Sequence, residues 1–308
     1  MSESEGPDPP PRANRIDGSP VSHNIPFDPT FVIEPQLVAR PADTPRDTSS
    51  GPPERFRWKV VAESVCGASH EKSGVVCQDS HYEQHISDAV LVAAIADGAG
   101  SACRSELGAE VAARTAVKAL QDWVEQANPW PEEHEEWQPI MRGALNAALF
   151  AVEREADDLG VTTRELASTL ILLLATPKLV VGAQIGDGAA VILDDGNNLV
   201  ALTKPQTGEF LNETTFLVSP GAVEQSQTEV WHGKVAFLGA FSDGLQMLAL
   251  RMSDGSPHAP FFAPLFRFLA EQEDLGEAKI QLRQFLVSPR ITQRADDDLT
   301  LLLAQWPG

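Results

Sequence analysis

Five aspartates hold positions from which they could do chemistry. Asp79 stands in Gln-Asp-Ser, Asp97 in Ala-Asp-Gly-Ala-Gly-Ser, Asp187 in Ile-Gly-Asp-Gly-Ala, Asp243 in Phe-Ser-Asp-Gly-Leu and Asp297 in Asp-Asp-Asp-Leu-Thr. Each abuts a strand-like apolar run, and Asp97, Asp187 and Asp243 are followed by glycine. A short carboxylate on a rigid strand tip is a hard oxygen ligand of the kind Mg²⁺ and Mn²⁺ prefer. The five are spread over more than two hundred residues, so they form one site only if their strands converge. Asp-Gly is also a favoured hairpin turn. Asp195-Gly196 and Asp254-Gly255 lie in polar surroundings and read as turns of that kind. The other five abut buried-type strands, which a plain turn does not require.

The elements that must position these residues follow from periodicity. Residues 56–65 and 89–96 read as strands, the second a continuous apolar run ending at Asp97. Residues 105–127 and 139–159 carry apolar side chains at helical spacing, with Gly160 placed as a C-cap. Residues 128–137 between them read as a loop insertion. Strands are predicted at 169–175, 179–185, 189–193, 199–203, 216–219 and 235–241, helices at 261–272 and 277–287, and a last strand at 299–305. Strands and helices in blocks predict an α+β layered fold rather than a doubly wound parallel sheet.

Composition narrows the partners. The chain of 308 residues has 44 acidic and 23 basic side chains, a net charge of −21. Such a surface repels nucleic acid and anionic lipid, so neither is expected as a partner. No apolar run is long enough to span a bilayer, and the N-terminus lacks a signal-peptide pattern. Cys66, Cys77 and Cys103 fit no disulfide framework. A cytoplasmic chain with reduced thiols is expected. Residues 1–54 differ from the rest: 12 of the 23 prolines fall within the first 53 residues. That composition predicts a disordered tail. Its apolar patch, Phe31-Val32-Ile33 with Leu37-Val38, reads as incidental.

The ordered motifs resemble a known family. Gln78-Asp79, the Ala-Asp-Gly-Ala-Gly-Ser block at 96–101 followed by a helix, Ala167-Ser168-Thr169, residues 181–193, residues 241–244 and residues 297–303 occur in the order and spacing of the metal-dependent protein phosphatase 2C family. The chain resembles a bacterial-type member, with residues 55–308 as the catalytic domain. The resemblance implies a four-layer α-β-β-α sandwich, two antiparallel sheets each flanked by a helix pair. It implies two Mn²⁺ or Mg²⁺ ions, with a third, weaker ion in some members. Asp97 would bridge the two ions with the Gly98 carbonyl on the second. Asp243 and Asp297 would complete the shell of the first ion, Asp79 would hold coordinated waters, and Asp187 with Asp243 would match the third position. Asp298 stands where many members have Asn. The implied reaction is hydrolysis of phosphoserine and phosphothreonine by a metal-activated water, on a protein substrate phosphorylated by a serine/threonine kinase.

The sequence departs from the eukaryotic pattern in three places. The His of the Asp-Gly-His-Gly form is Ala99, no Arg precedes Gln78-Asp79, and Gly188-Ala189 replaces a Ser-Arg pair. His70 is the substitute candidate for a catalytic acid beside Asp79 and Asp97; its other reading is a hydrogen-bonded loop histidine. Lys72 and Arg104 are alternative anion partners. A zinc site from Cys66, His70, Cys77, His81 and His85 matches no standard spacing. Trp123, Trp130 and Trp137 read as packing. The altered gripping residues leave a second function open, a catalytically impaired pseudophosphatase that binds phosphoproteins or regulates.

Overall fold

The computed structural model describes residues 56–127, 129–206 and 214–308. In chain order the elements are β1 (Lys59–Val65), α1 (Ala68–Ser73), β2 (Ser80–Ser87), β3 (Val90–Ala96), α2 (Ser105–Gln126) and α3 (His134–Leu159). Then come β4 (Leu170–Ala175), β5 (Leu179–Ile185), β6 (Ala189–Asp194), β7 (Leu199–Ala201), β8 (Gln227–His232) and β9 (Val235–Phe241). The chain closes with α4 (Gln246–Ala249), α5 (Ala259–Glu271), α6 (Leu275–Leu286), α7 (Pro289–Thr292) and β10 (Leu299–Gln305). The proline-rich stretch and its apolar patch lie outside the described residues. No helix among the described residues is long and apolar enough to cross a membrane.

The strands form two antiparallel sheets of five, ordered β1-β10-β9-β6-β7 and β2-β3-β4-β5-β8. Each central strand is buried on both faces, which is why it reads as an unbroken apolar run rather than an alternating one. Along β3, Val92, Ala94 and Ala96 face the helix pair α2–α3. The alternate residues Leu91, Ala93 and Ile95 face the other sheet across Ile192, Leu238 and Leu302. The outer face of the first sheet is covered by α5 and α6, where Phe262, Leu265 and Leu282 pack on Phe241, Leu301 and Leu303. Helix pair, sheet, sheet, helix pair is the four-layer α+β architecture expected.

The differences from the periodicity reading are local. A capping box between Glu133 and Glu136 starts α3 before Pro139, so the helix takes in the end of the supposed loop. The periodicity predicts neither β2 nor β8. Both are edge strands, and their half-buried, polar sequences carry no apolar run to betray them. Residues 216–219 do not make a strand: the Ser219 amide donates back to Phe216 O at 2.9 Å in a tight turn, and β8 takes the place beside β5. The tryptophans do pack together. Trp137 is fully buried and meets Trp123 edge-on at 5.5 Å and Trp130 at 5.9 Å.

Candidate metal centre

Strand register brings the aspartates together. In the second sheet Ser80 pairs with Ala96, Ile95 with Ile171, and Leu170 with Ile185. The residues just beyond these pairs include Asp79, Asp97 and Gly186-Asp187, so all three fall at one end of that sheet. In the first sheet Phe241 pairs with both Leu301 and Ala189, which sets Asp243, Asp297 and again Asp187 at one end. The connection at 186–188 passes from β5 to β6 and therefore from one sheet to the other. Asp187 sits in that crossing, and the two acidic ends meet there.

Carboxylate oxygens of Asp97, Asp187 and Asp243 all lie within 4.8 Å of one another. Asp79 and Asp297 flank this trio, near enough for the charge of Asp79 to act on Asp97 and that of Asp297 on Asp243. Burial, opposed by hydroxyl hydrogen bonds and reinforced by Asp298 and Asp243, raises the Asp79 carboxyl to about 7. Burial, with Asp187 and Asp297 adding to it, raises Asp243 to about 6. Burial and the charges of Asp79 and Asp243 hold Asp97 well above the ordinary carboxylate value. The charges acting on these three groups come from other carboxylates, and like charges crowded together disfavour ionisation unless a cation joins them.

Two orphaned atoms point the same way. Asp79 Oδ2 accepts hydrogen bonds from Ser242 Oγ and Thr300 Oγ1, each at 2.7 Å. Asp187 Oδ2 accepts from Thr214 Oγ1 at 2.6 Å. The Oδ1 atoms of Asp79 and Asp187 are buried and have no partner. A buried, unpaired carboxylate oxygen is expensive, and a hard cation satisfies it. An all-oxygen donor set of this kind fits Mg²⁺ or Mn²⁺.

The glycines after the aspartates are not there for turn conformations, since neither Gly98 nor Gly244 has a positive φ. They allow contact between backbones. A Cβ on Gly98 would stand 2.6 Å from Gln78 O, and one on Gly244 2.3 Å from Asp298 O. Gly244→Ala is therefore expected to destabilise the fold by about 1–3 kcal/mol through overpacking. Urea denaturation should show an earlier midpoint with an unchanged slope. Asp195-Gly196 does lie in the β6–β7 hairpin, and Gly255 has φ 67° in its own turn.

Asp298 has a structural task that its motif position did not reveal. It is buried, and its two oxygens accept the amides of Gly67 at 2.7 Å and Gln78 at 2.6 Å. It thus ties the loops after β1 and before β2 to the start of β10. His70 lies on α1 with Nδ1 3.0 Å from Asp298 Oδ1, an ion pair when the ring is charged. His70, Asp297 and Asp298 form a second close group, so His70 borders the trio rather than joining it. The zinc alternative does not assemble. His81 Nδ1 bonds with Ser64 Oγ, and His85 Nε2 with Trp58 O. Burial and the charge of Asp79 push the Cys77 thiol far up, away from the thiolate a zinc ion needs.

Sequence reading missed the hydroxyls behind the aspartates. Thr300 had a signal, as the one polar residue in Leu-Thr-Leu-Leu-Leu, and it is fully buried. Ser242 adjoins Asp243. Thr169, whose Oγ1 accepts from the Asp97 amide at 3.0 Å, closes the Ala-Ser-Thr motif. Thr214 lies in a segment with no pattern at all.

A family model described as protein phosphatase 2C matches residues 66–287. Serine/threonine-protein phosphatase 3 of Escherichia coli (strain K12) is 36% identical over 255 residues, covering 81% of this chain and 98% of that protein. Among solved structures, a bacterial serine phosphatase superposes with a TM-score of 0.56 at 15% identity, over 82% of this chain and 99% of its own. Serine/threonine phosphatase Stp1 from Staphylococcus aureus gives 0.54 at 15% identity, over 84% and 100%. At these identities the two structures speak for the fold alone.

Proposed function

The chain belongs to the protein phosphatase 2C family, and from that premise we propose that it is a metal-dependent serine/threonine phosphatase working at the acidic end of its two sheets. It is a phosphoprotein phosphatase by family. The dependence on metal and the residue roles are the proposal. The observation that supports them is the Asp97–Asp187–Asp243 trio together with the two buried, unpartnered oxygens of Asp79 and Asp187.

Asp97, Asp187, Asp243 and Asp297 would hold two Mn²⁺ or Mg²⁺ ions, with a third, weaker site at Asp187 and Asp243, and the Gly98 carbonyl would add a ligand. When bound, such cations offset phosphoryl charge and make water more acidic, which yields a nucleophile at neutral pH. Asp79, gripped by Ser242 and Thr300, keeps its other carboxylate oxygen unpaired and would hold coordinated water through it. Asp298 anchors the loops that bring Asp79 and His70 to the site. His70 would hold the proton given to the leaving serine or threonine oxygen. The substrates would be proteins phosphorylated by a serine/threonine kinase, with neither nucleic acid nor membrane as partner.

The test is phosphate release from phosphothreonine and phosphotyrosine peptides by chelator-stripped protein, before and after adding Mn²⁺ or Mg²⁺. Turnover that is absent when stripped, returns with metal and favours phosphothreonine is expected. Full turnover without metal would overturn the reading.

A further inference from the structure

The hydroxyls behind Asp79 continue into a chain. Thr300 Oγ1, which donates to Asp79 Oδ2 at 2.7 Å, lies 2.7 Å from Ser64 Oγ. Ser64 is its cross-strand partner on β1. Ser64 Oγ lies 2.8 Å from Nδ1 of His81. The chain leaves Asp79, runs through β10 and β1 of the first sheet, and returns to β2 of the second, two residues beyond Asp79. Counting hydrogens sets its direction. A hydroxyl carries one hydrogen. Thr300 gives its hydrogen to Asp79, so Ser64 must donate to Thr300. Ser64 has then used its own, so His81 Nδ1 must donate to Ser64.

We propose that His81 is a positioning residue for the phosphatase reaction: as the Nδ1–H tautomer it orients Ser64, then Thr300, and so fixes the carboxylate of Asp79. Without that donor, Ser64 becomes free to accept from Thr300. The Thr300 hydroxyl can then turn away from Asp79, which is left with Ser242 alone. The proposal rests on the placing of Asp79 in the metal centre, and it adds a residue outside the aspartate set to the machinery.

Two measurements on the full chain test it. Nitrogen-detected NMR of the histidine rings, with His81 assigned by its loss in His81→Asn, should show the Nδ1–H tautomer; an Nε2–H ring overturns the proposal whatever the variants do. Calorimetric titration with Mn²⁺ alone should show binding about tenfold weaker in Ser64→Ala and in His81→Phe, as for other groups that orient the hydrogen-bonding surroundings of a metal site. Asparagine carries its amide near the place of Nδ1, so His81→Asn should regain most of the affinity. In the two impaired variants kcat for a phosphopeptide should fall with KM unchanged. Wild-type affinity in Ser64→Ala, or His81→Asn no better than His81→Phe, overturns the positioning role alone. Wild-type protein that binds no Mn²⁺ overturns the metal-centre reading and the role of Asp79 with it.

Discussion

Asp97→Asn is expected to lower phosphopeptide kcat on the order of 10³-fold while raising the melting temperature of the metal-free protein. The two effects have one cause. Asp97 faces Asp187 and Asp243 within 4.8 Å and feels the charge of Asp79. Asparagine has the same shape and keeps one oxygen, but is neutral in the crowded cluster without having to bind a proton. Without a cation that change relieves repulsion, which we expect to add about 1–2 kcal/mol and a few degrees. With cations it removes one of the carboxylates proposed to hold them. Losing one fixed electrostatic contact in such a site commonly lowers rates by about 10²–10³-fold. The paired measurement is thermal melting in chelator beside turnover in Mn²⁺. Wild-type turnover in Asp97→Asn would remove Asp97 from the centre. A lower metal-free melting temperature would mean the carboxylate stabilises the fold, contrary to the repulsion argued here.

Metal-free protein should lose stability as pH rises from about 6.5 to 8, and saturating Mn²⁺ should reverse the slope. Asp79, raised to about 7, and Asp97, raised well above its ordinary value, bind protons in the folded state at pH values where the unfolded chain has released them. The folded state then holds more protons than the unfolded state, so stability falls with rising pH through that interval. His81 works the opposite way, since burial and the Lys279 charge hold it down to about 4. Its effect is confined below about pH 6.5, the unfolded value. The interval above isolates the carboxylates. A cation competes with those protons, so its own stabilisation grows as they leave. At a hundredfold excess over Kd it contributes about 2.7 kcal/mol. Melting curves at pH 6.5, 7.25 and 8, with chelator and with Mn²⁺, read both slopes. Parallel curves would show that protons and cations do not share these carboxylates, and Asp97→Asn should flatten the metal-free slope.

The sequence by itself determined which residues could meet and in what chemical form. Asp97, Asp187, Asp243 and Asp297 are legible because each borders an apolar run, and a carboxylate beside a buried strand needs a reason to be there; Asp79, beside the polar strand Ser80–Ser87, is legible only through its place in the motif order. The layered architecture was legible for a related cause: runs such as Val90–Ala96 are apolar on both faces, which only a strand covered on both sides requires. Edge strands escaped, because a half-buried polar segment such as Ser80–Ser87 owes its conformation to the ladder it joins rather than to its own pattern. That the glycines after the aspartates permit a close backbone approach is legible from their type; the packing of strand ends decides which backbones Gly98 and Gly244 admit, those of Gln78 and Asp298. Asp298 looked like a neighbour of a ligand and is a clamp on two loops. The chain Asp79–Thr300–Ser64–His81 joins residues more than two hundred positions apart. No local pattern announces it, since hydrogen-bond partners across sheets are chosen by register and by the approach of the two layers, and these exist only once the chain is folded.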